Sequence, residues 1–351
     1  MSQPRKRRLG LRLFFVFSAL LAGAVAYWAF DRYAQFADQP LSGLQAGDTL
    51  VVERGDSFAR VLRRLRDHGV REGHDAQWRL LARRLGADGR IQVGEYPLDP
   101  GTTPRLLLER MRDGKVLSYR FTIVEGWNIR QLRAALAKAT PLRQEAASLD
   151  DAALMARLGH PGQHPEGRFL PETYAYTRGD SDLDLLARAH AGLDKALDDA
   201  WNARAAGLPI KSKEEALVLA SIVEKETGIA SERPRIAGVF LRRLELGMRL
   251  QTDPTVIYGM GSRYAGNLRK ADLQADTPYN TYTRDGLPPT PIAMVGADAL
   301  RAVTRPADGD ALYFVAVGDG SGKHVFSKTL AEHEAAVREY IRRYRAQYGP
   351  K

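Results

Sequence analysis

The sequence predicts an α+β protein in three parts: a single N-terminal transmembrane helix, a small α+β module and a larger mixed α+β domain. Three observations carry this. An unbroken run of uncharged residues, Leu13 to Phe30, lies close behind a basic N-terminus. Strand-like and helix-like periods then alternate irregularly, without the repeated βα units of a parallel sheet. Finally, 351 residues at 44% hydrophobic content suffice for two separately cored domains.

The N-terminal segments follow in order. Residues 1–12 form a basic tail with Arg5, Lys6, Arg7, Arg8 and Arg12 and no acid. The run 13–30 spans about 27 Å as a helix, close to a bilayer core, with Tyr27 and Trp28 placed as interfacial anchors. The basic tail predicts a cytoplasmic N-terminus and an exported remainder. Ala22-Gly-Ala24 and Ala24-Val-Ala26 resemble signal-peptide cleavage sites, but the apolar run continues past both, which favours an uncleaved anchor. Residues 31–46 read as a juxtamembrane linker. The tail supplies half of the net charge of +10, and the remaining basic residues are interleaved with acids. No basic stripe with aromatics is present, so a nucleic-acid partner is not expected. The absence of cysteine removes disulfide and thiolate chemistry.

The module spans 47–117. TLVVE reads as a strand, Gly55-Asp56-Ser57 as a turn with a helix cap, and Phe58, Val61, Leu62 and Leu65 as one apolar helical face. Gln77 to Leu85 is a second helix, IQVGEYPL a second strand, and Thr102-Thr103-Pro104 caps a further helix through Met111. This order is similar to a LysM-like fold, a module that often binds glycans containing N-acetylglucosamine. It reads equally well as a small packing domain without a ligand.

The larger domain, 118–351, opens with the strand signal SYRFTIVEG and a helix capped by Asn128. PEGRFLPETYAY is irregular and aromatic, and helices follow to about Asn202. LVLASIVEKETG is apolar on every side from Ala216 to Val223 except at Ser221, the signature of a buried helix. Two glutamates close it: on a helical wheel Glu224 lies among Leu217, Ala220 and Ser221, while Glu226 lies on the opposite side near Leu219 and Ile222. ALYFVAV and HVFSK flank a GDGSGK turn, and an amphipathic helix ends the chain.

Several chemistries are excluded by pattern. GDGSGKH fails as a phosphate loop, because Val317 stands where a glycine is needed and His324 follows Lys323. No H-E-x-x-H or G-x-S-x-G occurs, and Pro161 and Gly162 separate His160 from His164 on any helical face. No metal, nucleotide or other cofactor is expected.

The positive signal lies between Glu224 and Ile292. QTDPTVIYGMG and TPYNTYTRDGLPPTPI are dense in Tyr, Asn, Thr, Gly and Pro, a composition suited to rigid loops that present ring faces and amides to a sugar. SIVEKET, VFLRRLELGMRL, QTDPTVIYG, YNTY and GLPPTPI, in this order, strongly resemble the endolytic murein (peptidoglycan lytic) transglycosylases of the MltG/YceG-like family. VGEYPL and EGRFLPETY are similar to that family's segments as well, and the likeness covers nearly the whole chain.

The resemblance implies that Glu224, the first glutamate of SIVEKET, is catalytic; periodicity alone leaves Glu224 and Glu226 both open. A salt bridge between Glu226 and an arginine such as Arg233 is the expected role of the second. The implied reaction cleaves the MurNAc–GlcNAc β-1,4 bond with the C6 hydroxyl of MurNAc closing on its own C1, so one glutamate suffices where a hydrolase needs two carboxylates. Burial would keep Glu224 protonated for the first step. Tyr258, Tyr279, Asn280 and Tyr282, with Gln251 and Glu166 behind them, are candidate sugar contacts, with core packing the alternative for each tyrosine. Asp253 is the candidate partner of Glu224 in a hydrolytic muramidase, although an Asp-Pro-Thr turn is expected to cap the following helix. A non-catalytic, tethered peptidoglycan-binding scaffold is the third reading. The resemblance places the chain in the inner membrane with a periplasmic catalytic domain, peptidoglycan strands as substrate and peptidoglycan synthases as neighbours.

Overall fold

The computed structural model describes residues 4–349, leaving out the side chains of 4–11 and 348. The basic cluster Arg5 to Arg8 therefore lies, as far as its side chains go, outside the described residues. The chain divides into two compact units. The first runs to Tyr119 and includes Thr177–Gly179; the second comprises Arg120–Tyr176 and the residues from Asp180 onward.

The first unit begins with α1 (Pro4–Asp38), which contains a 27-residue stretch, Arg12–Asp38, long and apolar enough to cross a membrane. A linker is expected from Asp31, yet the helix continues through Asp38. The reason is local: Tyr33, Phe36 and Ala37 fall at i, i+3 and i+4 and form an apolar stripe. Phe36 and Ala37 are buried in the core of the unit, and the Phe36 ring meets Trp78 edge-on at 5.4 Å. Asp38 locks the helix end by accepting from Arg105 Nε at 2.7 Å and Nη2 at 3.0 Å.

β1 (Thr49–Val52), α2 (Phe58–Asp67), α3 (Asp75–Arg84) and β2 (Gly94–Pro97) follow, with α4 (Pro104–Asp113) behind them. The strands pair antiparallel, Leu50 opposite Tyr96. Ser57 caps α2 and Thr103 caps α4, each hydroxyl accepting an amide of the first turn. Leu50, Leu65, Trp78, Leu81, Tyr96, Leu107, Leu108 and Met111 fill the core. One acid sits inside it. Glu95 accepts from Thr49 Oγ1 and Tyr119 OH, both at 2.8 Å, and from Arg178 Nε at 2.8 Å. Burial alone would push its carboxyl up, but these donors outweigh burial and hold it below the usual glutamate range.

The second unit contains β3 (Tyr119–Thr122, entering from the first), α5 (Ile129–Leu136), α6 (Asp151–Arg157) and β4 (Thr173–Tyr176), which pairs with β3. The strand signal of SYRFTIVEG is thus realised over four residues. Next come α7 (Asp182–Asn202), α8 (Lys213–Glu226), α9 (Arg233–Glu245), α10 (Asp253–Met260), α11 (Lys270–Gln274) and α12 (Ala297–Thr304). β5 (Tyr313–Ala316), β6 (His324–Ser327) and α13 (Leu330–Tyr348) end the chain. β5 and β6 form the hairpin expected around GDGSGK, closed by Val317 N donating to Lys323 O at 2.8 Å. The core is helical: every residue of α8 from Ala216 to Glu224 is buried, enclosed by α7, α9, α10 and α12. Ser221, the polar interruption, donates to Val218 O at 2.7 Å and accepts from Ile292 N at 3.0 Å, so its hydroxyl is satisfied internally.

Two stability outcomes follow from these cores. Phe36→Ala leaves a void against Trp78 and should cost about 3 kcal/mol, seen as a lower melting temperature and faster amide exchange in β1 and β2. A shortened chain that starts at residue 44, and so lacks Phe36, Ala37 and Leu41, should melt below one that starts at residue 31; equal melting would mean the helix end adds nothing to the module.

Candidate active site

The last turn of α8 sends its two glutamates to different surroundings. Glu224 Oε1 accepts from Arg233 Nη2 of α9 at 2.8 Å, and Oε2 accepts from the Gly296 amide at 3.0 Å. Gly296 is the residue that opens α12, so the carboxyl lies at the positive end of that helix. The Glu224 side chain is only 3% exposed. Burial raises its pKa from the ordinary glutamate value against the opposing pull of the Gly296 amide and Arg233, and the neighbouring Glu125 pushes in the same direction as burial.

Arg233 is therefore the partner of Glu224, correcting the expectation that it pairs with Glu226. Only the local bend decides this: the segment between α8 and α9 returns the guanidinium to the buried face of α8. Glu226 turns the other way, accepts from Thr252 Oγ1 and lines a cavity of about 470 Å3 with Gln251, Asp253, Tyr282, Arg243, Tyr313 and His333. Burial pushes its carboxyl up to about 7, and the nearby charge of Asp253 adds to that push.

Asp253 does not cap α10. It occupies the first helical position, Thr252 holds the cap position, and the Asp253 carboxylate accepts from Tyr282 OH at 2.6 Å. The carboxylate beside Asp253 is Glu226, whereas the one beside Glu224 is Glu125. Gln251, exposed at the mouth of the cavity, has a φ of 48°, a left-handed conformation that a non-glycine residue holds only when its surroundings impose it. Its amide donates to Thr281 O at 3.1 Å, which fixes the turn.

The remaining predicted contacts divide. Tyr258 lines a second cavity of about 390 Å3 with Asn128, Arg130, Gln131, Lys225 and Tyr264, and meets Tyr279 edge-on at 4.8 Å. Tyr279 is tied to Thr290 Oγ1 at 2.8 Å and backs this wall. Glu166 and Asn280 are fully buried, and neither lines either of these two cavities. Glu166 accepts from Ile129 N at 3.0 Å, in the first turn of α5, and from Tyr258; burial pushes it up to about 7. Asn280 donates Nδ2 to Leu273 O at 3.0 Å and Ala275 O at 2.7 Å and accepts from Tyr282 N at 2.8 Å, so it holds its loop together. Both support the site from behind.

Sequence reasoning missed Glu125 and Arg233 as neighbours of Glu224. The turn ending in Glu125-Gly126 after a strand is a visible signal, but its spatial partner is not. It also missed His160, His190 and Asp194, whose ligand atoms lie within 4.8 Å of one another among the described residues. His190 already engages Gln163 at 2.8 Å and Asp194 at 3.2 Å, and it stacks on His160 with an interplanar angle of 17°. Stacked rings point their lone pairs side by side, not at a common point.

The YceG-like family model matches residues 50–339. The endolytic murein transglycosylase of Bacillus subtilis (strain 168) is 31% identical over 307 residues, covering 83% of this chain and 84% of its own. The protein of the same name from Streptococcus pneumoniae (serotype 2, strain D39) is 32% identical over 185 residues, half of this chain but only 32% of its own length. A 2.6 Å crystal structure of a YceG-like protein from Listeria monocytogenes shares the fold with a TM-score of 0.54 at 28% identity, covering 82% of this chain and 98% of the other. The match begins in β1 and ends within α13, taking in both glutamates and every loop around them: this chain belongs to the YceG-like family.

Proposed function

We propose that the chain is a membrane-anchored endolytic murein transglycosylase that cuts the MurNAc–GlcNAc β-1,4 bond of nascent glycan strands and leaves 1,6-anhydroMurNAc ends. The observation that carries this reading is Glu224: a carboxyl at the end of a buried apolar helix, raised toward the protonated form and fixed by a backbone amide. Protonated Glu224 gives its proton to the glycosidic oxygen as the C1–O bond breaks. The MurNAc C6 hydroxyl then bonds to C1 and returns its proton to Glu224, so no water is consumed and the acid is regenerated. The cavity holding Tyr258 and Tyr264, with the amides of Asn128 and Gln131 and the guanidinium of Arg130, offers ring faces and planar donors suited to a sugar chain. The two curated relatives named endolytic murein transglycosylase support the substrate class.

The apolar stretch of α1 and the basic residues at its N-terminal end support a single-pass inner-membrane anchor, with a cytoplasmic N-terminus and a periplasmic remainder in which the LysM-like module (47–117) precedes the catalytic domain (118–351) along the chain. Tethering would raise the local concentration of enzyme at strands still held near the membrane, beside the synthases that make them, and suits a role in ending their elongation.

A second reading is favoured by one observation. Glu226 and Asp253 share the 470 Å3 cavity, and a raised glutamate beside a second carboxylate is the arrangement of a hydrolytic muramidase. Digestion of peptidoglycan by the full chain in detergent separates the two. The expected products carry anhydro ends, and Glu224→Gln lowers their rate by at least about 100-fold while Glu226→Gln keeps a measurable rate. Reducing ends, lost in Glu226→Gln, would establish the hydrolase instead. Orientation is testable because the chain has no cysteine of its own: a membrane-impermeant maleimide should label Ala206→Cys in spheroplasts and leave Ser2→Cys untouched, and the reverse pattern would overturn the topology.

A further inference from the structure

Arg233 does not serve Glu224 alone. The same Nη2 that reaches Glu224 Oε1 at 2.8 Å reaches Glu125 Oε2 at 3.1 Å, and Nη1 faces Asp298 at 3.7 Å. The Arg233 Nε is buried with no hydrogen-bond partner among the described residues, so the guanidinium is committed to this cluster through its two terminal nitrogens. Glu125 arrives from the turn after β3, and its carboxyl accepts from the same Arg233 Nη2 as that of Glu224. That approach needs the glycine at 296, because a side chain there would run into Glu125 Oε1. The two acids differ in exposure. The Glu125 side chain is 46% exposed, while that of Glu224, beneath it, is 3% exposed.

We infer that Glu125 is a positioning residue of the transglycosylase reaction: by sharing Arg233 with Glu224 it keeps Glu224 in its protonated, proton-donating form. The inference rests on the reading of Glu224 as the proton donor. A single buried guanidinium beside Glu224 would stabilise its carboxylate and make it a poor acid. Glu125 removes much of that stabilisation. Two carboxyls that share one positive charge retain a proton between them, and the proton resides on the member that water cannot reach. Glu224, shut away from water beneath the half-exposed Glu125, keeps the hydrogen. The other charged groups facing the cluster do not reverse this. Asp298 of α12 adds negative charge and is itself paired with Arg301, and Lys225 of α8 donates Nζ to Gly126 O at 3.2 Å, holding the Glu125 turn in place.

The test is the pH profile of kcat/KM for the full chain in detergent on peptidoglycan, for wild type, Glu125→Gln, Glu125→Asp and Glu224→Gln. In Glu125→Gln, the pull of Arg233 and the Gly296 amide on Glu224 is no longer countered by the Glu125 carboxylate. The high-pH limb should move down by about one unit, giving about tenfold lower activity near neutrality and near wild-type activity at the acid end. Glu125→Asp keeps the charge and should keep the limb close to its wild-type position. A limb unmoved in Glu125→Gln, or an equal loss at every pH with a lowered melting temperature, overturns the inference and leaves Glu125 a structural residue. If Glu224→Gln is fully active, the reading of Glu224 has failed; if it is inactive while the Glu125→Gln limb stays put, only the present inference has.

Discussion

The second unit is organised around a helix whose middle has no side to show to water. From Ala216 to Val223, α8 offers apolar side chains around its circumference with Ser221 the one polar interruption, and the chain meets that demand by enclosing it with α7, α9, α10 and α12. Enclosure has an electrostatic consequence. A helix buried to its last turn carries its terminal side chains into the interior, so its two glutamates cannot relax into bulk solvent and each must find partners. Glu224 finds an amide and a guanidinium; Glu226 finds a threonine hydroxyl and the wall of a cavity. The chemistry at the end of α8 is thus a result of how completely its middle is packed.

Much of this was legible because it is local. Ser57, Thr103 and Asn128 cap their helices as their positions foretell, since a cap needs only the first turn that follows it. The burial of α8 follows from an apolar circumference, and the GDGSGK hairpin from its turn residues. Other features depend on distant segments. Arg233 meets Glu224 and not Glu226 because of how the bend before α9 is laid, which no periodicity encodes. Glu125 meets Glu224 across the fold, from a turn whose own sequence records only a strand ending in a glycine. Residues 31–46 read as a linker, yet Tyr33, Phe36 and Ala37 carry the helix on to Asp38 once Trp78 supplies a partner.

The predicted site residues show a similar division between contact and support. Tyr258, Gln251, Asp253 and Tyr282 border cavities, while Glu166 and Asn280 spend every polar atom on backbone and neighbouring side chains. Composition alone cannot separate these roles, because a loop that presents groups to a ligand needs the same residue types to hold its own shape. Glu166 illustrates the overlap: an acid pushed up to about 7 by burial has the signature of a catalytic group, yet it bonds the first amide of α5 and the hydroxyl of Tyr258.

The unbroken course of α1 into the core of the first unit has a mechanical consequence. At 35 residues the helix is about 52 Å long, and its end is wedged against Trp78 and clamped by Arg105. For a chain anchored as proposed, one continuous helix joins the bilayer to the core of the module. The module stands on a stiff stalk at a set height and azimuth. Each residue added to or removed from the stretch between Asp31 and Gln35 would turn it by about 100° around the membrane normal and raise or lower it by about 1.5 Å, so the spacing of a few residues at the bilayer surface dictates which face of the module looks along the wall.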